Sequence, residues 1–360
     1  MTDMTEAYTH QATELLSQLI AIPSISREET AAADFLETWM QKAGLSPHRE
    51  ANNLWCVAPG YDTSRPTLLL NAHIDTVRPV STWTRPPHVA QTEGDRLYGL
   101  GSNDCGGGLV SLLMVFCHLR STSQSYNLIY LASAEEEVSG ANGCSRVLPL
   151  LPPVSAAIVG EPTGMQPAIA EKGLMVIDMV SHGKSGHAAR GEGINAIYKM
   201  LDDLQWIRNY RFERVSPLLG PTLMQATVLH AGTQHNVVPD TCTAVIDVRT
   251  NELYSNEEVF GIIRSHVSSE VKAHSFRLSS SGIPVSHPIV QRCLSMGMTP
   301  FGSPTLSDQA LMPFASLKLG PGQSSRSHSA DEYICISEIK DAIGKYIQIL
   351  DGLDLCLDNQ

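Results

Sequence analysis

Three short apolar runs constrain this chain more than any other feature, because each breaks off into side chains that carry chemistry. Leu68-Leu69-Leu70 leads through Asn71-Ala72 to His73-Ile74-Asp75, Leu128-Ile129-Tyr130-Leu131-Ala132 leads to Glu135-Glu136-Glu137, and Ala156-Ala157-Ile158-Val159 leads to Gly160-Glu161. Continuous apolar runs of this length suit strands buried on both faces, as in the parallel sheet of an α/β protein. Open α/β sheets hold their ligands beyond the carboxyl ends of the strands, so the three endings are expected at one edge. His73 and Asp75, two apart on extended chain, point the same way. Asp104 occupies the glycine-rich turn GLGSNDCGGG, where the backbone can approach an ion, just before the apolar helix GGLVSLLMVFCHL. His328, in the polar loop 320–329 after another strand, can reach the same edge. Singly, each has a plainer use: Asp104 as a helix N-cap, the acidic run as a solvated helix N-terminus, His328 as a solvated loop side chain. Convergence favours a site, since caps have no need to gather on one sheet edge.

The rest of the chain divides around this edge. Leu15, Leu16, Leu19 and Ile20 mark one face of a helix over 7–22, stopped by Pro23, and a second helix is expected over 28–43, followed by a strand over 53–57. From Gly173 the pattern changes to alternation. A strand over 174–180, a helix over 194–210, strands over 222–230 and 241–249, a helix over 256–272 and a strand over 275–279 give the ferredoxin-like order βαββαβ. Beyond Gly282 the α/β character returns, with a helix over 287–296, a strand over 314–319 and a closing helix over 337–350. The expectation is therefore an α/β protein of two domains, 1–172 with 283–360 forming one and 173–282 inserted as the other.

Composition excludes some partners. The charge balance, 25 − 37 = −12, has no basic cluster against it, so no nucleic acid is expected. No run reaches the roughly 18 apolar residues of a membrane span, and the polar start lacks a signal sequence, so a cytoplasmic protein is expected. The eight cysteines include no CxxC pair, which points to reduced thiols and against a closed structural zinc site. Two histidines with several carboxylates instead suit a catalytic pair of Zn2+ ions, with Co2+ or Mn2+ tolerated.

An ordered set of motifs, NAHIDTV, GLGSNDCGGG, SAEEEVSGANG, VGEPT, GKSGHAAR, GINAI, HNVVPD, IDVR and GPGQSSRSHSADEYI, resembles the M20 metallopeptidase and deacylase family over nearly the whole chain, most of all its acetylornithine deacetylase and succinyl-diaminopimelate desuccinylase branch. The resemblance implies a zinc-peptidase-like α/β/α catalytic domain, with the inserted domain serving as the dimerisation domain of a homodimer. It implies that His73 and Glu161 hold one metal, that Glu137 and His328 hold the other, and that Asp104 bridges them. It makes Asp75 the carboxylate that orients His73, and Glu136 the general base. The family usually has Asp-Glu-Glu where this chain has Glu135-Glu136-Glu137. His187 from a neighbouring subunit, with Asn236 nearby, would steady the oxyanion, and Arg249 would pair with the substrate carboxylate. Leu100 stands where the family commonly has Arg, Cys105-Gly106 where it has Met-Lys, and Arg190-Gly191 where Arg-Pro is frequent. Cys105 is an inert neighbour, a thiol open to oxidation or a metal ligand in its own right.

The implied activity is hydrolysis of an acyl group, acetyl or succinyl, from a small N-acyl amino acid such as N-acetylornithine or N-acylcitrulline, as in arginine biosynthesis. A di- or tripeptidase or a carboxypeptidase is the nearest alternative. A catalytically dead binding protein of the same fold would lack a ligand or the base, and none is missing from this sequence.

Overall fold

The computed structural model describes residues 2–355. In chain order it contains α1 (Thr2–Ile20), α2 (Thr30–Lys42), β1 (His48–Glu50), β2 (Asn53–Val57), β3 (Thr67–His73), α3 (Gly107–Leu119), β4 (Asn127–Ser133) and β5 (Ala156–Val159). There follow β6 (Met175–His182), α4 (Ala196–Asn209), β7 (Leu223–Ala231), β8 (Thr241–Arg249), α5 (Asn256–His266) and β9 (Glu270–Ala273), then α6 (Pro288–Ser295), β10 (Ala315–Lys318) and α7 (Ile336–Leu350). Shorter strands and turns lie between. The chain forms two compact units: Met1–Ile169 with Gly282–Phe301 and Ser307–Gln360, and Ala170–Ser281 with Gly302–Leu306. The insertion was expected over 173–282; the compact unit runs 170–281 and also takes up 302–306. No helix among the described residues is long and apolar enough to cross a membrane.

The first unit is built on a sheet in the order β1-β2-β4-β3-β5-β10. β4, β3, β5 and β10 run parallel, and β2 joins β4 antiparallel. Register aligns Leu68, Leu69 and Leu70 with Leu128, Ile129 and Tyr130 on one side, and with Ala156, Ala157 and Ile158 on the other. Alternation then divides these side chains between two cores. Leu68, Leu70, Leu128, Tyr130 and Ile158 pack with α1, α2, α3 and α7, while Leu69, Ile129, Leu131, Ala157 and Val159 pack against the segment from Cys144 to Leu151 and Met312. Burial on both faces explains why no polar residue interrupts these runs; each such side chain contributes about 1.5–3 kcal/mol. Helix α3 lies deepest, and its entry requires glycine: a Cβ on Gly108 would collide with the Gly160 carbonyl, where the helix start meets the end of β5.

The second unit is the βαββαβ fold, with strand order β7-β8-β6-β9, all antiparallel. Met175, Ile177 and Met179 of β6 and Ala244, Ile246 and Val248 of β8 face Met200 and Ile207 of α4 and Val259 and Ile263 of α5. Its last strand lies at 270–273 rather than 275–279, and α5 ends at His266 rather than near 272. The cause is Asp203, whose carboxylate accepts from the backbone N–H groups of Ser268 (2.8 Å) and Ser269 (2.9 Å) and pulls the chain out of the helix.

Candidate active site

The carboxyl ends of β3, β4, β5 and β10 open onto one edge, and every expected metal ligand lies there. His73 ends β3, the acidic run follows β4, Glu161 follows β5, His328 lies in the loop after β10, and Asp104 sits in the turn before α3. The five side chains form one continuous chain of contacts. Glu161 Oε1 is 3.7 Å from His73 Nε2, which is 3.4 Å from Asp104 Oδ1. Asp104 Oδ2 is 3.5 Å from His328 Nε2, and that nitrogen is 2.9 Å from Glu137 Oε2. Asp104 thus offers one oxygen to each imidazole.

These contacts suit a cation better than they suit one another. His73 Nδ1 lies 2.8 Å from the Asp75 carbonyl oxygen and donates to it, which fixes the tautomer and leaves the Nε2 lone pair facing carboxylate oxygens. Glu161 Oε1 is buried without any hydrogen-bond donor. Acceptors gathered around acceptors repel unless a proton or a cation lies among them. In the apo protein protons fill that role. Burial and then Asp104 push Glu161 up to about 8, and the hydrogen bond to Glu137 lifts His328 to about 9 against its partial burial. Glu136 is raised well above its ordinary value by burial and by Glu161, Asp308 and Glu137, with His73 opposing. Asp104 is held below its usual value because His73 and His328 outweigh its burial.

The three glutamates separate cleanly. Glu135 adopts a left-handed backbone (φ 54°) and spends its carboxylate on the Asn142 backbone (3.2 Å) and side-chain (3.0 Å) nitrogens. Glu137 meets His328, and Glu136 is half-buried beside the cluster. Asp75 differs from the expectation that its carboxylate orients His73. Its main-chain carbonyl makes that bond, and its carboxylate Oδ1 stands 3.6 Å from Nδ1. Instead the carboxylate accepts from Glu136 N (3.0 Å), Glu137 N (3.2 Å) and Ser26 Oγ (2.6 Å), so it holds the turn that presents both glutamates.

His187, Asn236 and Arg249 lie in the second unit. His187 belongs to the short ribbon Gly186–His187 paired with Val237–Val238, and Ala188 N donates to the Asn236 carbonyl at 3.0 Å, which brings His187 and Asn236 together. His187 Nδ1 accepts from Ala189 N at 3.1 Å, so Nε2 carries the proton on an exposed ring. Arg249 ends β8 in a two-point pair with Asp247, at 2.8 and 3.1 Å.

Several buried acids escaped the sequence. Glu332 accepts from the backbone N–H groups of Gly101 (3.1 Å), Asn103 (2.8 Å) and Asp104 (2.9 Å), so it holds the turn that carries Asp104. Burial, reinforced by Asp104, raises Glu332 to about 7 despite those three bonds. Its only signal was an acid just after His328 in a motif already recognised. Glu29, fully buried at the start of α2, accepts from Glu135 N at 3.1 Å, and Asp308 accepts from Ser133 Oγ at 2.5 Å. Neither had a sequence signal, since both contacts span long loops. Cys105 is buried and its thiol is pushed up by burial to about 12, which disfavours the oxidation considered above.

A sheet edge that gathers two imidazoles and three carboxylates around a shared aspartate is the arrangement of a metal-dependent hydrolase. The chain belongs to Peptidase family M20/M25/M40, whose model matches residues 69–352. It is 28% identical to acetylornithine deacetylase of Klebsiella pneumoniae (strain 342), over 89% of this chain and 92% of the relative. Identity to acetylornithine deacetylase of Pectobacterium atrosepticum is 29%, over 91% of this chain and 94% of the relative. Among solved structures it resembles the M20 family metallo-carboxypeptidase Sso-CP2 from Sulfolobus solfataricus (TM-score 0.73, 19% identity, 94% of this chain and 98% of the other). It also resembles the Bacillus subtilis YXEP protein, described as a dinuclear metal binding peptidase (TM-score 0.72, 16% identity, 96% and 98%). At these identities the structures speak for the fold.

Proposed function

We propose that this chain is a dinuclear metal amidohydrolase that cleaves an acetyl or succinyl group from a small N-acyl amino acid, such as N-acetylornithine or N-acylcitrulline. The observation that carries the reading is the unbroken chain of contacts Glu161–His73–Asp104–His328–Glu137 with Glu136 half-buried beside it. His73 and Glu161 would hold one cation and Glu137 and His328 the other, with Asp104 shared by both. Zn2+ is the best match to these donors, with Co2+ or Mn2+ as substitutes. Two such cations would polarise the scissile carbonyl and make a water between them acidic near neutral pH.

The protein's own residues do the rest. Glu136 takes the proton from the attacking water and returns it to the departing amine nitrogen. A carboxyl whose pKa is raised by its surroundings is a stronger base than an ordinary carboxylate, which suits it to that exchange. Asp75 keeps Glu136 and Glu137 in place through their backbone N–H groups. His187 of the partner subunit, its Nε2–H free to donate, and Asn236 steady the oxyanion. Arg249 receives the substrate carboxylate, a task suited to its planar fork, in exchange for part of its pairing with Asp247.

A homodimer through the second unit is part of the same reading. Strand β7 is an edge strand exposed along nearly its whole length, with Leu223, Val228 and Leu229 in solvent, and Ile194, Tyr198 and Leu201 form an exposed stripe at and along α4. An unpaired apolar edge of that length invites a second copy.

The deacylase branch is supported by relatives named acetylornithine deacetylase. Solved neighbours such as the aminopeptidase PepT of Bacillus cereus keep a peptidase reading in the comparison. The test is kcat/KM for N-acetylornithine, N-acetylcitrulline and N-succinyl-diaminopimelate against a panel of di- and tripeptides, with the zinc-loaded protein. The deacylase reading requires an N-acyl amino acid to lead by at least tenfold. A peptide in the lead overturns it in favour of the peptidase, and no turnover of either class overturns the enzyme reading.

A further inference from the structure

The turn that presents Asp104 also places a thiol against the ligands, and the chemistry above leaves it unused. His73, Cys105 and Glu161 each offer one donor atom, and the three atoms lie within 4.8 Å of one another. A second trio, His73, Asp104 and Glu137, meets the same limit, so His73 stands where the two groups join. Cys105 is 1% exposed; its Sγ–H meets the His73 carbonyl oxygen in a weak contact at 3.8 Å, and the thiol also lies within hydrogen-bonding reach of the His73 side chain. Glu161 Oε1, on the same side, is buried and accepts no hydrogen bond. A sulfur, an imidazole nitrogen and a carboxylate oxygen grouped this closely need only small movements to meet around one ion, because tetrahedral sites with Zn–S near 2.3 Å and Zn–N or Zn–O near 2.0 Å hold their donors about 3.2–3.7 Å apart.

Resting on the dinuclear reading above, we propose that Cys105 Sγ is a fourth protein donor, beside His73, Glu161 and the shared Asp104, to the cation on the His73 side. The step exchanges the S–H bond for a sulfur–metal bond: the thiol and M2+ give the thiolate complex, and the released proton passes to water. Binding of M2+ is therefore accompanied by loss of one proton from sulfur. A thiolate favours Zn2+ and Co2+ over the harder Mn2+, so this side of the site discriminates among cations that five nitrogen and oxygen ligands would treat more evenly. The neighbouring Gly106 and Gly107 are packed against the Gly101 carbonyl and Ile334, which keeps the sulfur fixed at the start of α3.

The test is a titration of the metal-free full-length protein with Co2+ alone, followed by near-ultraviolet absorption, where thiolate-to-cobalt charge transfer is seen, with bound cobalt counted independently. The expected result is two equivalents bound, a charge-transfer band in the wild-type protein, and its loss in both Cys105→Ser and Cys105→Ala. Competition between Zn2+ and Mn2+ should shift toward Mn2+ by about 10–100-fold in those variants, the size typical for loss of a metal-site partner. Two equivalents of cobalt with no band overturn the thiol ligand and leave the dinuclear reading standing, as does a band that persists in Cys105→Ser. Failure to bind cobalt overturns both. Should a variant misfold, the presence or absence of the band in the wild-type protein decides the question by itself.

Discussion

Glu332 provides the sharpest test of how Asp104 is held. Its carboxylate accepts three backbone N–H bonds, from Gly101, Asn103 and Asp104, in a place that is 2% exposed. Glu332→Ala leaves three buried donors without a partner, at about 1–3 kcal/mol each, for an upper range of about 3–9 kcal/mol. Entry of water and removal of a buried carboxylate offset part of this, so the lower end, about 3–5 kcal/mol, is expected. Glu332→Gln preserves Oε1 for Asn103 and Asp104 but sets an N–H donor against Gly101 N. It should cost about 1.5–3 kcal/mol, the worth of one bond to a charged acceptor. The assay is urea unfolding at pH 8 of chelator-treated protein in a Trp206→Phe background. Fluorescence then reports the first unit through Trp39, Trp55 and Trp83. A loss below 1 kcal/mol for Glu332→Ala, or equal losses for the two variants, would refute the argument that these three bonds fix the turn.

Glu136→Gln should lower kcat for the best N-acyl substrate by about 10²–10⁴ while bound metal stays unchanged, since it removes the proton acceptor and no ligand. Raised groups lose their stabilising contribution as pH climbs: that of Glu161 is full below about 4.5 and lost through about 8, and that of His328 is full below about 6.5 and lost through about 9. The metal-free protein should therefore melt at a lower temperature at pH 9 than at pH 6, while the protection conferred by added zinc grows over the same range, because ligation displaces those protons. Differential scanning calorimetry with and without zinc checks both slopes, and opposite signs would sink the assignment. Leu229→Lys on the β7 edge should give a monomer by sedimentation, and His187→Ala a dimer with kcat reduced about 10²–10³, as for loss of one oxyanion donor. A fully active monomer would remove the partner-subunit role.

The catalytic sheet was legible because two-sided burial leaves a direct trace: Leu68 through Leu70 and Leu128 through Leu131 had to be apolar without interruption, and strand ends follow such runs at once. The five candidate ligands were brought into view for the same reason, each standing just past a strand or in the glycine-rich turn. What the sequence hid depends on contacts between distant segments. Asp203 ends α5 from across the second unit, and Glu332 and Asp308 act on residues more than a hundred positions away. The role of Asp75 was hidden in another way: spacing placed it beside His73, but only the fold shows that its carbonyl serves the imidazole while its carboxylate serves Glu136 and Glu137.

Counting zinc per chain after saturation and removal of excess metal, in the wild-type protein and in Asp104→Ala, decides whether two cations share Asp104. Two zinc ions per chain in the first and one or fewer in the second are predicted. A single tightly held zinc in the wild-type protein, or two in Asp104→Ala, would contradict that sharing.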